Sequence, residues 1–254
     1  MADQRYSVNA IKKMDSILQC IAEAEEPLSF VQIYSMLDLP KSSTYRLLET
    51  LSDLNYVRKT DGQRYTLGIN LFRLGMIAGE KIDMRKAAHP VLVEVSKILG
   101  LTVSLAKINL DCQGVYIDRV EPRGIALNKT HMGDMVVMHC SCLGKVLLAW
   151  QEPEIMEKLV NEMTLTRHTP NSITDKALLI EDLKTARSRG YAVDNEELDQ
   201  NIIGLGVPVF DSFHELVGAM SVGAVSTLIT KDQYAEIIGV LQEKSRVISE
   251  HLIN

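Results

Sequence analysis

The sequence predicts an α+β fold in two parts: three short helices and a hairpin, joined by a linking helix to a larger antiparallel sheet with flanking helices. Three observations carry this. Apolar residues recur at helical spacing three times before residue 52. Two β-prone runs then bracket Asp61-Gly62, a tight-turn signal. Beyond residue 100, β-like runs and helical stretches follow in an order that suits antiparallel strands.

The elements follow in order. From about Ser7, the residues Ile11, Met14, Ile17, Leu18 and Ile21 share one helical face. After the EAEEPL loop, Ser29 and Gln32 have the spacing of a capping box, and Phe30, Ile33, Tyr34 and Leu37 line a helix of two turns. Asp38-Leu39-Pro40 turns the chain, and Pro40 suits the first position of a new helix, where an N–H would be unpaired anyway. With Thr44, Leu47, Leu48 and Leu51 facing inward, Ser42, Ser43 and Arg46 fall on the opposite face, beside Lys41 and Tyr45. Tyr56–Lys59 and Arg64–Leu67 then form a hairpin around Thr60-Asp61-Gly62-Gln63, and it carries Arg58, Lys59 and Arg64. Three helices and a basic hairpin are the order of a winged helix-turn-helix, whose second motif helix enters the DNA major groove.

A helix from Asn70 to about Ile82 carries Gly75 and Gly79, which suit a linker better than a core element. The predicted organisation is therefore a DNA-binding unit at 1–68, a linker helix at 69–82 and a larger domain at 83–254. In that domain Met84–Leu99 repeats an apolar face and stops at Gly100. Strand-like runs follow in TVSLAKINL, GVYIDRV and IALNKTH, then helical stretches at about 141–150, 153–162 and 175–189. Two further strand runs, IGLGVPVFD and LVGAMSVGAV, precede a final helix at about 231–252.

Composition narrows the class. With 254 residues, 46% apolar and 24% charged, the chain has ordinary globular composition and enough length for two domains. No apolar run approaches the roughly 18 residues of a membrane span, and MADQRYSVNA lacks a secretory layout, so a cytoplasmic protein is expected. Four scattered cysteines do not form a disulfide framework. The net charge of −6 argues against a general nucleic-acid binder, yet five basic residues stand against three acidic ones between Lys41 and Arg64.

Lys41-Ser42-Ser43-Thr44-Tyr45-Arg46-Leu47-Leu48, followed by Arg64-Tyr65-Thr66-Leu67-Gly68, resembles the N-terminal domain of the IclR family of bacterial transcriptional regulators. Downstream, Ser141-Cys142-Leu143-Gly144-Lys145 and the segment Gly190-Tyr191-Ala192-Val193-Asp194-Asn195-Glu196-Glu197 are similar to that family's motifs. Pro208-Val209-Phe210-Asp211 and Ala219-Met220-Ser221-Val222 follow at its distances. The resemblance implies a GAF-like effector domain and pocket positions at Asn128, Val136, Cys142, Leu143, Asp194, Ile202, Gly204, Ser221 and Gly223. Two positions depart from the family pattern, Gly204 where cysteine is common and Gly223 where a second serine is, and both changes predict a larger pocket.

Residues 141–144 at a helix start suit an anionic group or merely the tight packing of small residues, while Asp194 can accept hydrogen bonds from ligand hydroxyls or merely cap a turn. The expected effector is a small carboxylate-bearing molecule, an organic or sugar acid, with no cofactor. For DNA, Ser42, Ser43, Thr44 and Tyr45 offer hydroxyls to phosphates or base edges, unless Thr44 is mostly core. Arg46 can read guanine or clamp phosphate, and the wing residues Arg58, Lys59 and Arg64 attract phosphate. One such helix reads few base pairs, so a homodimer on a palindromic operator is implied, and the resemblance extends this to tetramers. Two other readings stay open. His139, Cys140 and Cys142, with Cys112 upstream, could serve a metal-dependent or thiol enzyme, although H-C-x-C lacks a second ligand pair. The chain could also bind DNA without any effector.

Overall fold

Helical periodicity in the first stretch becomes α1 (Asn9–Ala22), which buries Ile17, Cys20 and Ile21. The structure, a computed structural model, describes residues 8–81, 83–109, 112–122 and 130–252. It comprises two units, Met1–Lys81 and Ile82–Asn254. In the first unit, β1 (Leu28–Ser29) leads into α2 (Phe30–Met36), where Ser29 and Gln32 form the expected reciprocal cap. The next helix is α3 (Lys41–Asp53), and Pro40 stands just before it as the N-cap. The hairpin consists of β2 (Val57–Lys59) and β3 (Arg64–Leu67), with β1 on the other side of β3.

The hairpin turn differs from a simple Asp-Gly turn. Gln63, at φ 56°, takes the left-handed position. The Gln63 N–H donates to Thr60 O at 3.0 Å, and the Thr60 N–H to Arg64 O at 2.7 Å. That adds one left-handed residue after the turn, which lets its twist match the strands. Ile17, Ile33, Leu48, Leu51, Val57 and Tyr65 make the core of this unit. The linker α4 (Ile69–Glu80) leaves Ile69, Phe72, Met76 and Ile77 exposed.

In the second unit α5 (Asp83–Leu99) precedes β4 (Thr102–Ile108) and β5 (Gly114–Val120). Then come α6 (Cys142–Ala149), α7 (Pro153–Glu162) and α8 (Lys176–Arg189). The strands β6 (Ala192–Asn195), β7 (Ile202–Phe210) and β8 (Leu216–Val225) follow, and α9 (Tyr234–His251) comes last. The strands form one antiparallel sheet in the order β5-β4-β8-β7-β6. The predicted IALNKTH strand lies outside the described residues except for Thr130 and His131, which are not in a strand.

Strand alternation divides this sheet between two cores. Val103, Leu105, Leu205, Val207 and Val222 pack with Leu92 and Val95 of α5 and Leu241 and Ile248 of α9. On the other face Ala106 and Ala219 meet Leu143, Leu147, Leu179 and Leu183 of α6 and α8. All eight residues of α6 are buried. Gly144 permits this, because a Cβ there would stand 2.4 Å from the Met138 backbone.

Candidate DNA interface and effector cavity

On α3, the residues Lys41, Ser42, Tyr45 and Arg46 are exposed and Ser43 is half-buried. Lys41 Nζ lies 5.0 Å from the centre of the Tyr34 ring, and Tyr45 packs edge-on against Phe30. Among the described residues no side chain caps α3, so the N–H groups of its first turn are available to an anion. Thr44 must be removed from the contact set. It is fully buried, and its hydroxyl donates to Pro40 O at 3.1 Å, because the inward register that buries Leu48 also buries Thr44. Ser42, Ser43, Arg46 and Thr50 line a groove of about 410 Å³ with Ala10 and Lys13 of α1. Lys13 lies on α1, and only the packing of α1 beside α3 brings it to this groove, which a count of charges along the chain does not disclose.

The wing side chains Arg58, Lys59 and Arg64 are exposed. Arg64 has a structural tie as well, since its Nη1 donates to Pro27 O at 3.0 Å. We expect Arg58→Ala or Lys59→Ala to weaken DNA binding similarly across sequences and to lower the salt slope by about one. A sharp change in preference for one base, measured by salt-dependent titration, would instead assign the wing to sequence reading.

The second site grows from the sheet register. One row across the strands reads Asp194, Gly204, Gly223, Thr102, and the next reads Ala192, Gly206, Ser221, Ser104, Arg119. These rows are small or polar, unlike the apolar row of Pro208, Ala219, Ala106 and Tyr116 beyond them. The start of α6 covers them, and a cavity of about 50 Å³ remains. Cys142, Leu143, Asp194, Ile202, Gly204, Ser221 and Gly223 line it, as do Thr102, Ser104, Tyr116 and Arg119. Val136 does not. It packs in the apolar cluster with Leu143 and Leu147, its side chain against Gly114. Asn128 lies outside the described residues.

Arg119 was not foreseeable by strand alternation, which would put it opposite Tyr116. The β4–β5 register skips Ile117, and this bulge turns both side chains toward the cavity. Arg119 Nε also donates to Glu121 at 2.9 Å. The expectation that Gly204 enlarges the pocket is corrected. A Cβ at position 204 would stand 2.7 Å from Cys142 Sγ, so the thiol of α6 fills the space that a strand side chain would take.

Ser141 caps α6 by accepting the Gly144 N–H at 3.0 Å. Asp194 is both cavity wall and turn cap: its Oδ1 accepts the N–H groups of Glu197 at 2.8 Å and Leu198 at 3.3 Å. Burial pushes its carboxyl up to about 7, and the negative charge of Glu197 adds to this against the two N–H bonds. Burial likewise pushes the Cys142 thiol up to about 12, which favours its neutral form in the cavity wall.

Behind the cavity stands a buried ionic cluster that sequence periodicity did not disclose. Lys145, 1% exposed, places Nζ 2.5 Å from Glu197 Oε1 and 2.9 Å from Asp182 Oδ2, and donates to Val193 O at 3.1 Å. Burial opposes its charge, but the two carboxylates outweigh that and raise its pKa. A lysine inside an otherwise apolar helix was the available signal. The histidine and cysteine cluster is rearranged too. Cys142 belongs to the cavity, whereas His139 and Cys140 lie with His168, which the sequence reading had not included.

A winged helix followed by a separate domain with a polar cavity at a helix start defines a DNA-binding regulator with a small-molecule sensing domain. Residues 10–61 match the IclR helix-turn-helix domain, and residues 77–250 match the bacterial transcriptional regulator IclR C-terminal domain. The chain belongs to the IclR family of bacterial transcriptional regulators. The HTH-type transcriptional regulator KdgR of Dickeya chrysanthemi is 28% identical over 250 residues, spanning 98% of this chain and 81% of KdgR. The crystal structure of Thermotoga maritima IclR is 31% identical with a TM-score of 0.71, covering 96% of this chain and 98% of that one. An IclR homologue from Microbacterium hydrocarbonoxydans, crystallised with 4-hydroxybenzoate, shares the fold at 19% identity and a TM-score of 0.79, with 96% and 99% covered. No described helix is long and apolar enough to cross a membrane.

Proposed function

We propose that this regulator binds a palindromic operator through α3 and the wing, as a homodimer or tetramer in the cytoplasm, and that a small hydroxylated carboxylic acid in the cavity of the second unit sets its affinity. The observation that carries the effector reading is the pair of polar rows beneath the start of α6. The helix start and Arg119 offer positive potential to a carboxylate, and Ser104, Ser221, Thr102 and Asp194 offer partners for hydroxyls. The 4-hydroxybenzoate of the Microbacterium homologue is an acid of this kind, although that likeness carries the fold and not the ligand. Self-association draws support from the exposed apolar side of α4.

At about 50 Å³ the cavity is far below the roughly 300 Å³ of a small ligand pocket, so binding requires a wall to move. Leu198 and Ile202, where the chain passes from β6 into β7, are half-buried members of the lining, and theirs is the wall proposed to move. A thermal-shift screen of hydroxylated organic and sugar acids, followed by calorimetry, tests the reading. A rise in melting temperature only with neutral apolar compounds contradicts it, and no rise with any compound favours a DNA binder without an effector.

For the DNA interface, we expect Arg46→Ala to weaken binding to a mapped operator by about 1–3 kcal/mol with the melting temperature unchanged, because the side chain is exposed. Wild-type affinity in that variant would remove Arg46 from the interface.

A further inference from the structure

We infer that His139, Cys140 and His168 form a binding site for a zinc-class divalent cation, separate from the effector cavity. The ligand atoms these residues offer all lie within 4.8 Å of one another. Two of the three, His139 and Cys140, are buried in the segment before α6, and the third, His168, is exposed on the loop after α7. The chain thus brings the donors together from positions almost thirty residues apart, which random surface histidines do not do.

The surroundings suit a metal ligand. His139 Nε2 is 2.9 Å from Thr166 O, so that nitrogen carries the proton and Nδ1 keeps the lone pair. A ring held by its N–H on a backbone carbonyl is the usual outer support of a metal-binding histidine. His139 and His168 rings are 5.8 Å apart and tilted, not stacked. Both also line a cleft of about 410 Å³ with Cys112 and Glu162, which opens the histidine side of the site and leaves room there for a water or another donor as fourth ligand, with Cys140 buried outside the cleft lining.

Bonds to zinc of about 2.0–2.3 Å set neighbouring ligand atoms roughly 3.3–3.8 Å apart, so the cluster must contract by about 1 Å. The exposed His168 can supply that movement by rotation. Binding takes the thiolate form of Cys140, and the thiol proton leaves to the solvent. An ion here would tie the cap of α6 to the 166–172 loop. That loop is held to the Glu196 and Glu197 carbonyls by Thr169 and Ser172, close to Asp194. The site thus abuts two walls of the effector cavity without sharing a ligand with it.

The test is a titration of the untagged, reduced full chain with cobalt(II), then competition by zinc. We expect one equivalent to produce tetrahedral visible bands with a thiolate-to-cobalt charge-transfer band, and zinc to abolish both and raise the melting temperature. Cys140→Ser should remove the charge-transfer band. His168→Gln, on an exposed side chain that the fold does not need, should weaken binding at least tenfold with an unchanged far-ultraviolet spectrum. An octahedral spectrum without charge transfer in the wild type overturns the site. So does unchanged affinity in His168→Gln, or a charge-transfer band that survives Cys140→Ser.

Discussion

Replacing Lys145 by methionine is expected to destabilise the second unit by about 3–5 kcal/mol, the range for removing one partner of a buried ion pair. The methionine fills much of the lysine volume, so the loss reports charge and not a cavity. Glu197, 5% exposed, would remain beside Asp182 without the cation that now lies 2.5 Å and 2.9 Å from them, and Val193 O would lose a donor. Urea unfolding followed by a probe in this unit should show a lower midpoint with an unchanged slope. The double variant Lys145→Met, Glu197→Gln should lose less than the sum of the single losses, since the pair is then removed together. A loss below about 1 kcal/mol would mean that solvent reaches the cluster and screens it.

Asp194→Asn is expected to flatten the pH dependence of stability between about pH 4 and 7. The folded pKa of Asp194, about 7, lies above the ordinary aspartate value of 3.8. The native state therefore binds this proton more tightly than the unfolded chain. Its destabilising contribution is absent below the unfolded value, grows as pH rises, and is complete above about 7. About three pKa units correspond to at most about 4 kcal/mol. Asparagine keeps an Oδ1 for the Glu197 and Leu198 N–H groups but cannot ionise, so the difference between variant and wild type isolates the charge.

The same substitution bears on the effector. A protonated Asp194 carries no charge to oppose a ligand carboxylate held at the start of α6, whereas the ionised form repels it. Binding of an anionic effector should thus weaken as pH rises above 7, approaching about tenfold per pH unit for one coupled proton, and Asp194→Asn should abolish that slope. Calorimetry at several pH values reads both. A pH-independent affinity in the wild type would leave Asp194 as a turn cap alone.

Much of the first unit was legible because its signals are contiguous. The Ser29–Gln32 cap, the inward register of Leu48 and Leu51, and the outward placement of Ser42 and Arg46 follow from spacings of three and four within one helix. Thr44 could be assigned to the core by the same register, and burial removed it from the DNA face. The long strands Ile202–Phe210 and Leu216–Val225 were legible from their composition, whereas the short β1 and β6 were not, since two to four residues carry too little pattern.

By itself, then, the sequence determined the order of the longer elements, the winged-helix unit and the face of α3 turned outward. Each of these depends on neighbours along the chain. Only the tertiary structure decided which strand rows face α6, that a bulge at Ile117 brings Arg119 beside Tyr116, and that Cys142 fills the space over Gly204. It alone also paired Lys145 with Asp182 and Glu197, and His139 with His168. The physical reason is that strand register and side-chain burial are set by pairing between segments tens of residues apart, which no local periodicity encodes.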